Sequence, residues 1–192
     1  FRVPSDAVDI QTTLADKNLK AKAKVEAIAK MLLDAQISLA ELVRAARGSK
    51  DKEKGTCIEA LEFATRARPE IASPDCLDFV TEALLDEAPR VKWESAKVVR
   101  NIAHRFPERL VEAIKNLRAN STHEGTVVRW SAAGALGAIV ELRTTHNKEL
   151  VPVLQAILER EEDQAIKKIY LAALRRVALP PRPARKVSGK SG

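Results

Sequence analysis

An apolar helical face returns along this chain at an interval of 37 or 38 residues, and that recurrence is the strongest constraint on its fold. Residues 127–140 read Val-Val-Arg-Trp-Ser-Ala-Ala-Gly-Ala-Leu-Gly-Ala-Ile-Val, which places Val128, Ala132, Ala133, Leu136 and Ile139 on one side of a helix. The same face appears at Val91, Ala96, Val99 and Ile102, and again at Ile166, Leu171, Leu174 and Val177. From Ala96 to Ala133 is 37 residues, and from Ala133 to Leu171 is 38. Such an interval holds two helices and their turns. One hairpin of that size cannot bury its apolar side alone, so it must stack on the next. The expected class is all-α, an α-solenoid.

The pattern predicts a leading helix over 19–35, carrying Val25, Ile28, Ala29, Leu32 and Leu33. Pairs follow over 37–47 and 55–67, 74–88 and 90–105, 107–117 and 127–142, and 148–160 and 164–178. That makes nine helices: four antiparallel hairpins, with the leading helix capping the open end. Ser73-Pro74-Asp75 is a helix start with proline in the first turn. Gly48-Ser-Lys-Asp-Lys-Glu-Lys-Gly55 reads as a charged, exposed loop. Residues 1–18 form an extension with room for one short helix near 5–15, residues 19–178 the repeat domain, and residues 179–192 a basic tail. The tail is rich in Pro, Ser and Gly, cannot bury a core, and is expected to be mobile. The start, Phe1-Arg2-Val3-Pro4, has no initiator Met and no apolar leader, and reads as a boundary within a longer chain.

Net charge is +7, but its placement matters more than its size. Residues 178–192 and 19–55 each carry +4, residues 1–18 carry −1, and residues 56–177 balance to zero. A groove that tracks phosphates along a nucleic acid normally holds its basic excess in the body of the fold. No run approaches the ~18 apolar residues of a membrane span, so no membrane partner is expected. Cys57 and Cys76 stand alone, without metal-ligand spacing, and read as buried reduced thiols of a cytoplasmic protein. Nucleophile elbows, phosphate-binding glycine loops and zinc-binding histidine pairs are absent from the sequence, so no catalytic residue, cofactor or metal is expected. His123 and His146 read as surface loop residues, His104 as a groove-side residue, and Glu159-Arg160-Glu161-Glu162-Asp163 as a solvated helix end.

Residues 128–139 resemble the second helix of HEAT repeats, particularly the short form found in bacteria, which reads Val-Arg-x-x-Ala-Ala-x-Ala-Leu-Gly-x-Ile. Val128, Arg129, Ala132, Ala133, Ala135, Leu136, Gly137 and Ile139 match it position by position. The preceding Leu-Leu-Asp of that pattern appears as Leu84-Leu85-Asp86 before Val91-Lys92, and more loosely as Ile157-Leu158 and Asp163 before Ile166-Lys167. The resemblance spans about residues 37–178, with its weakest unit where Gly55-Thr56 replaces Val-Arg. On a helical wheel Lys92 points only about 20° from the core direction, so its stem runs along the neighbouring unit while its amine seeks an acceptor. Lys92, Arg129 and Lys167 are expected to form a structural ladder between units, with Asp86 and Asp163 as partners.

In HEAT proteins the second helices line a concave face. The wheel then turns Trp93, Glu94, Lys97, Arg100, Asn101, His104 and Arg105 outward on helix 90–105, and Trp130, Ser131, Gly134, Ala138 and Glu141 on helix 127–142. Glu59, Glu62 and Arg66 point the same way on the first second helix, and Lys168, Arg175 and Arg176 on the last. The expected partner-binding set is Trp93, Lys97, Arg100, Trp130, Lys168, Arg175 and Arg176, since Trp and Arg are favoured interface anchors. The resulting expectation is a non-enzymatic scaffold that holds a protein or peptide. The alternative is a nucleic-acid-binding protein, or a HEAT-like DNA glycosylase acting on alkylated bases.

Overall fold

The computed structural model describes residues 9–180, and every element among them is helical or a turn. Ten α-helices follow in order: α1 (Ile10–Ala15), α2 (Ala21–Leu33), α3 (Leu39–Gly48), α4 (Asp51–Ala67), α5 (Pro74–Ala83), α6 (Pro89–Ile102), α7 (Val111–Asn120), α8 (Thr126–Glu141), α9 (Asn147–Arg160) and α10 (Gln164–Ala178). Local signals set several starts. Ser38 and Glu41 cap α3 reciprocally, with Ser38 N–H donating to Glu41 Oε2 at 2.6 Å and Glu41 N–H to Ser38 Oγ at 3.1 Å. Ser73 caps α5 ahead of Pro74, and the Asp163 carboxylate accepts from the first N–H groups of α10.

The even helices α2, α4, α6, α8 and α10 lie side by side and pack along their lengths. The odd helices α3, α5, α7 and α9 form a second layer in which successive members touch over few residues. Close spacing in one layer and loose spacing in the other curves the stack toward the even helices, making them the concave side. One continuous core lies between the layers, from Ile10 and Leu14 through Ile58, Leu77, Val99 and Leu136 to Ile166 and Tyr170. The molecule is an α-solenoid.

The short helix expected near 5–15 is α1, whose Ile10 and Leu14 are buried in the common core. One boundary differs from the sequence reading. The segment read as a loop over Gly48–Gly55 shrinks to Ser49 and Lys50, because α4 starts at Asp51. Nothing in Asp-Lys-Glu-Lys breaks a helix, and Asp51 and Glu53 in the first turn complement the helix dipole. Gly55 is buried there, with the Arg90 side chain 3.1 Å from where a Cβ would stand. The expected tail lies mostly outside the described residues.

Gly137 governs how closely α8 meets α10. A Cβ built on it would lie 3.3 Å from the Ala173 Cβ. The branched side chain of Gly137→Val must wedge the two helices apart, an overpacking cost of about 1–3 kcal/mol. Gly48→Ala at the end of α3 meets nothing within 4 Å. Thermal melts are expected to show a drop of several degrees for Gly137→Val and no loss for Gly48→Ala.

Candidate binding groove on the concave face

Three neighbouring even helices present stripes at i, i+4 and i+7 or i+8 spacing: Trp93, Lys97 and Arg100 on α6; Trp130, Gly134 and Ala138 on α8; Lys168, Ala172, Arg175 and Arg176 on α10. Ser131 and Gly134, expected to face outward, are buried. Trp93 is half-buried and its indole N–H donates to Glu94 Oε1 at 2.9 Å. Trp130 remains 41% exposed, and Val127 one turn earlier is 51% exposed. Large apolar side chains left in water beside a polar rim mark a contact surface.

The α4–α6 half of the groove is charge-balanced. Lys97 Nζ lies 3.1 Å from Glu94 Oε2 and 3.9 Å from Glu62 Oε2, and Arg66 Nε is 3.6 Å from Glu62 Oε1. Arg90 Nη2 meets Glu59 Oε2 at 2.5 Å. Glu62 and Glu94 are buried rather than turned to solvent. The reason is lateral: even helices pack directly against one another, so positions flanking the outermost stripe are covered by the next helix. Burial pushes the Glu94 carboxyl above its ordinary range; Lys97 opposes this through charge and hydrogen bond, Glu59 adds to it, and the Trp93 donation opposes it.

The α6–α8–α10 half is not balanced. Arg100, Gly134, Gly137, Ala138, Glu141, Lys168, Ile169, Ala172, Ala173 and Arg176 line an open cleft of about 350 Å³. Its floor is made of small residues and its rim carries three cations and one carboxylate. Arg176 Nη1 pairs with Glu141 Oε1 at 2.8 Å. Arg100 and Lys168 have no carboxylate within 4 Å among the described residues. Arg175 is exposed but lies outside the cleft.

The three cations read as equivalent rungs sit in three different settings. Lys92 Nζ reaches the Leu84 carbonyl at 3.5 Å. Asp86, the acid expected beside it, instead accepts from Lys54 Nζ of the preceding unit at 2.6 Å and from Ala88 N–H at 3.0 Å. Burial raises the Asp86 carboxyl, yet those hydrogen bonds and the charges of Lys54 and Lys92 hold it below its ordinary range. Arg129 bridges units: its Nε and Nη2 lie 3.2 and 3.4 Å from the Glu161 carboxylate, and its Nη1 donates to the His123 and Glu124 carbonyls. Glu161 also accepts from the N–H groups of Glu162 and Asp163, and is buried. Within the solvated helix end expected over 159–163, Glu159, Arg160 and Glu162 are exposed, while Glu161 is closed into an ion pair with a partner 32 residues away in sequence. Asp163 spends its carboxylate on the Ala165 and Ile166 N–H groups, and Lys167 has no carboxylate within 4 Å among the described residues.

Residues with other chemistry lie apart from the groove. Cys57 and Cys76 are buried free thiols pushed up to about 12 by burial, with the charge of Glu53 adding at Cys57. His123 Nδ1 accepts from Gly125 N–H at 2.8 Å, and His146 Nε2 sits 3.1 Å from the Pro107 carbonyl. No three His, Cys, Asp or Glu side chains among the described residues are grouped to hold a metal ion. A second cleft, unforeseen in the sequence, opens on the outer face between α7 and α9, where Lys115, Arg118 and Arg160 rim Val153 and Ile157.

Removing one partner of a buried pair strands the other, so Glu161→Ala is expected to lower unfolding free energy by about 3 kcal/mol in urea. Asp78→Ala, which breaks the half-exposed Asp78–Arg109 pair, is expected to cost less than about 1 kcal/mol. Glu94 works in the opposite sense. Its raised pKa means that the folded state favours the protonated carboxyl, a stabilisation present at acid pH and lost as pH rises through that pKa. Glu94→Gln is therefore expected to gain on the parent as pH rises through and just above the ordinary carboxylate range, read from paired denaturation curves; a constant difference there would contradict the assignment.

No protein-family model and no curated protein sequence matches the chain. Solved structures do. An engineered protein matches with a TM-score of 0.66 and 21% identity over 88% of this chain and 79% of its own. A designed armadillo repeat protein in complex with the peptide (KR)4 matches at 0.65 and 19%, covering 88% and 80%. The complex of CpcE and CpcF of phycocyanin lyase from Nostoc sp. PCC7120 matches at 0.62 and 19%, covering 85% of this chain and 96% of that one. At such identities the likeness concerns the fold alone, a helical-repeat solenoid.

Proposed function

We propose that the protein is a HEAT-like scaffold or adaptor, without enzymatic chemistry of its own, whose concave face holds an extended segment of a protein partner. Two-helix units 37 or 38 residues long support HEAT over armadillo, whose repeats carry three helices, and the Val128–Ile139 pattern supports the short form of the family. The observation that carries the functional reading is the asymmetric groove. Trp130 stands exposed beside a small-residue floor, and the adjoining cations Arg100 and Lys168 lack protein partners among the described residues. Trp and Arg at such positions are the side chains that anchor interfaces.

Charge sets the ligand. The designed armadillo neighbour is recorded with the basic peptide (KR)4. Here the uncompensated charge on the groove is itself basic, so the complementary segment is acidic. Lys97, held by Glu94 and Glu62, belongs to the balanced half and orders that end rather than attracting anions.

The chain has only two tryptophans, Trp93 and Trp130, so intrinsic emission reports on the groove alone. Titration with arrays of short peptides is expected to perturb this emission with acidic sequences and not with (KR)4. Trp130→Ala is expected to weaken the best acidic peptide roughly thirtyfold, about 2 kcal/mol, with an unchanged melting temperature. Equal response to acidic and basic peptides, or an unaltered affinity in Trp130→Ala, would remove the groove from the proposal.

A further inference from the structure

We infer that the cleft between α6, α8 and α10 is a phosphate subsite, in which Arg100, Lys168 and Arg176 hold the phosphoryl group of a phosphorylated side chain in the bound segment. The inference rests on the docking proposal for the peptide that carries the phosphate, while the anion site can be tested without any peptide.

The two units that flank α8 supply the cations. Arg100 comes from α6 and leans across to α8, where a Cβ at Gly134 would lie 3.3 Å from its Nη1 and 3.6 Å from its Cδ. The bare glycine lets the guanidinium rest against the α8 backbone. Gly137 admits Ala173 at close range and so draws α10 in, bringing Lys168 and Arg176 to the same cleft. Had either glycine carried a side chain, the floor would rise and the three cations would spread.

Charge arithmetic then selects the ligand. Against the single carboxylate of Glu141, the three cations leave a surplus of +2 within one cleft. The repeat body over 56–177 is neutral, and the adjoining half of the groove pairs each of its acids, so the surplus is local. A carboxylate would neutralise half of it. A phosphomonoester brings a charge of about −1.5 to −2 and three strong acceptor oxygens, which matches the surplus and offers sites to several donors at once. Guanidinium groups suit this geometry because their planar fork can bind two oxygens together. The tetrahedral group fits easily within about 350 Å³, leaving room for its peptide to cross the exposed Trp130.

The test uses the full chain labelled with ¹⁵N. Inorganic phosphate, titrated at constant ionic strength, is expected to shift the Gly134 and Gly137 amide signals saturably, while acetate leaves them in place. In Arg100→Ala/Lys168→Ala, whose side chains are exposed or rim-placed, the shifts are expected to weaken at least about tenfold with the melting temperature held. A phosphoserine peptide is expected to bind at least about tenfold tighter than its Glu counterpart, an advantage that the double variant abolishes. Several results would overturn the subsite: no saturable shift, equal shifts with acetate, or shifts centred on the outer-face residues Lys115, Arg118 and Arg160. So would acidic peptides that bind the groove no more weakly than phosphorylated ones, which would leave the docking proposal standing. Saturable phosphate binding with no peptide of either kind would instead sink the docking proposal and keep the anion site. Duplex DNA outcompeting the phosphopeptide, with a steep salt dependence, would reassign the cleft to nucleic acid.

Discussion

Everything in this fold depends on lateral packing between consecutive even helices. Each hairpin presents an apolar side that its own two helices cannot cover, and the neighbouring hairpin supplies the cover. The packing is close because the contact positions are small: Ala96, Ala132, Ala133, Ala135, Gly137 and Ala173 are all buried. Larger aliphatics, Val99, Leu136 and Ile139 among them, are buried in the same continuous core. Close packing along consecutive even helices, set against the sparse contact between consecutive odd ones, is what bends the stack. Curvature, and with it the groove, is thus a direct consequence of side-chain volume.

Polar groups tie the units together at about one repeat's separation. Asn116 and Asn120 on α7 donate to the Thr81 and Leu84 carbonyls at the end of α5, both at 2.9 Å. Asn101 donates to the Glu62 carbonyl, and Arg68 to that of Leu33. Arg143, held in the left-handed region at φ 55°, donates to the carbonyls of Arg176 and Val177 in the last turn of α10 and of Leu179 just after it. A non-glycine residue in that region costs on the order of 1 kcal/mol, which such bonds offset while satisfying carbonyls that a helix end leaves orphaned. These contacts fix the register of one hairpin on the next, which apolar packing alone specifies poorly.

The sequence carries the repeat more legibly than it carries the groove. Apolar periodicity located nearly every helix because the core is continuous, and each helix shows it a regular stripe. The start of α4 escaped notice since Asp-Lys-Glu-Lys has no apolar residue to display a period, although its acids favour a helix start. The burial of Glu62, Glu94 and Glu161 escaped for a different reason. A helical wheel knows one direction, toward the core, whereas a solenoid helix has two further neighbours on its flanks. Arg129 illustrates the limit: its inward tilt is readable from the wheel, but its carboxylate lies 32 residues away and is chosen by the stacking offset. The cleft at Gly134 and Gly137 was visible only as small residues, since its rim draws on three units whose relative placement is a property of the stack.

That distribution over three units has a consequence for stability. In a one-dimensional array the free energy is a sum of unit terms and nearest-neighbour terms, so a ligand that touches one unit stabilises only that unit. A ligand held by Arg100 on α6, by the floor of α8 and by Lys168 on α10 spans two interfaces at once. Opening either interface would pull its contacts apart, so occupancy adds to both neighbour terms together. Binding site and stacking geometry are therefore linked: Gly137 lets α10 approach α8 and so brings Lys168 and Arg176 to the cleft, while Gly134 lets Arg100 of α6 rest against α8.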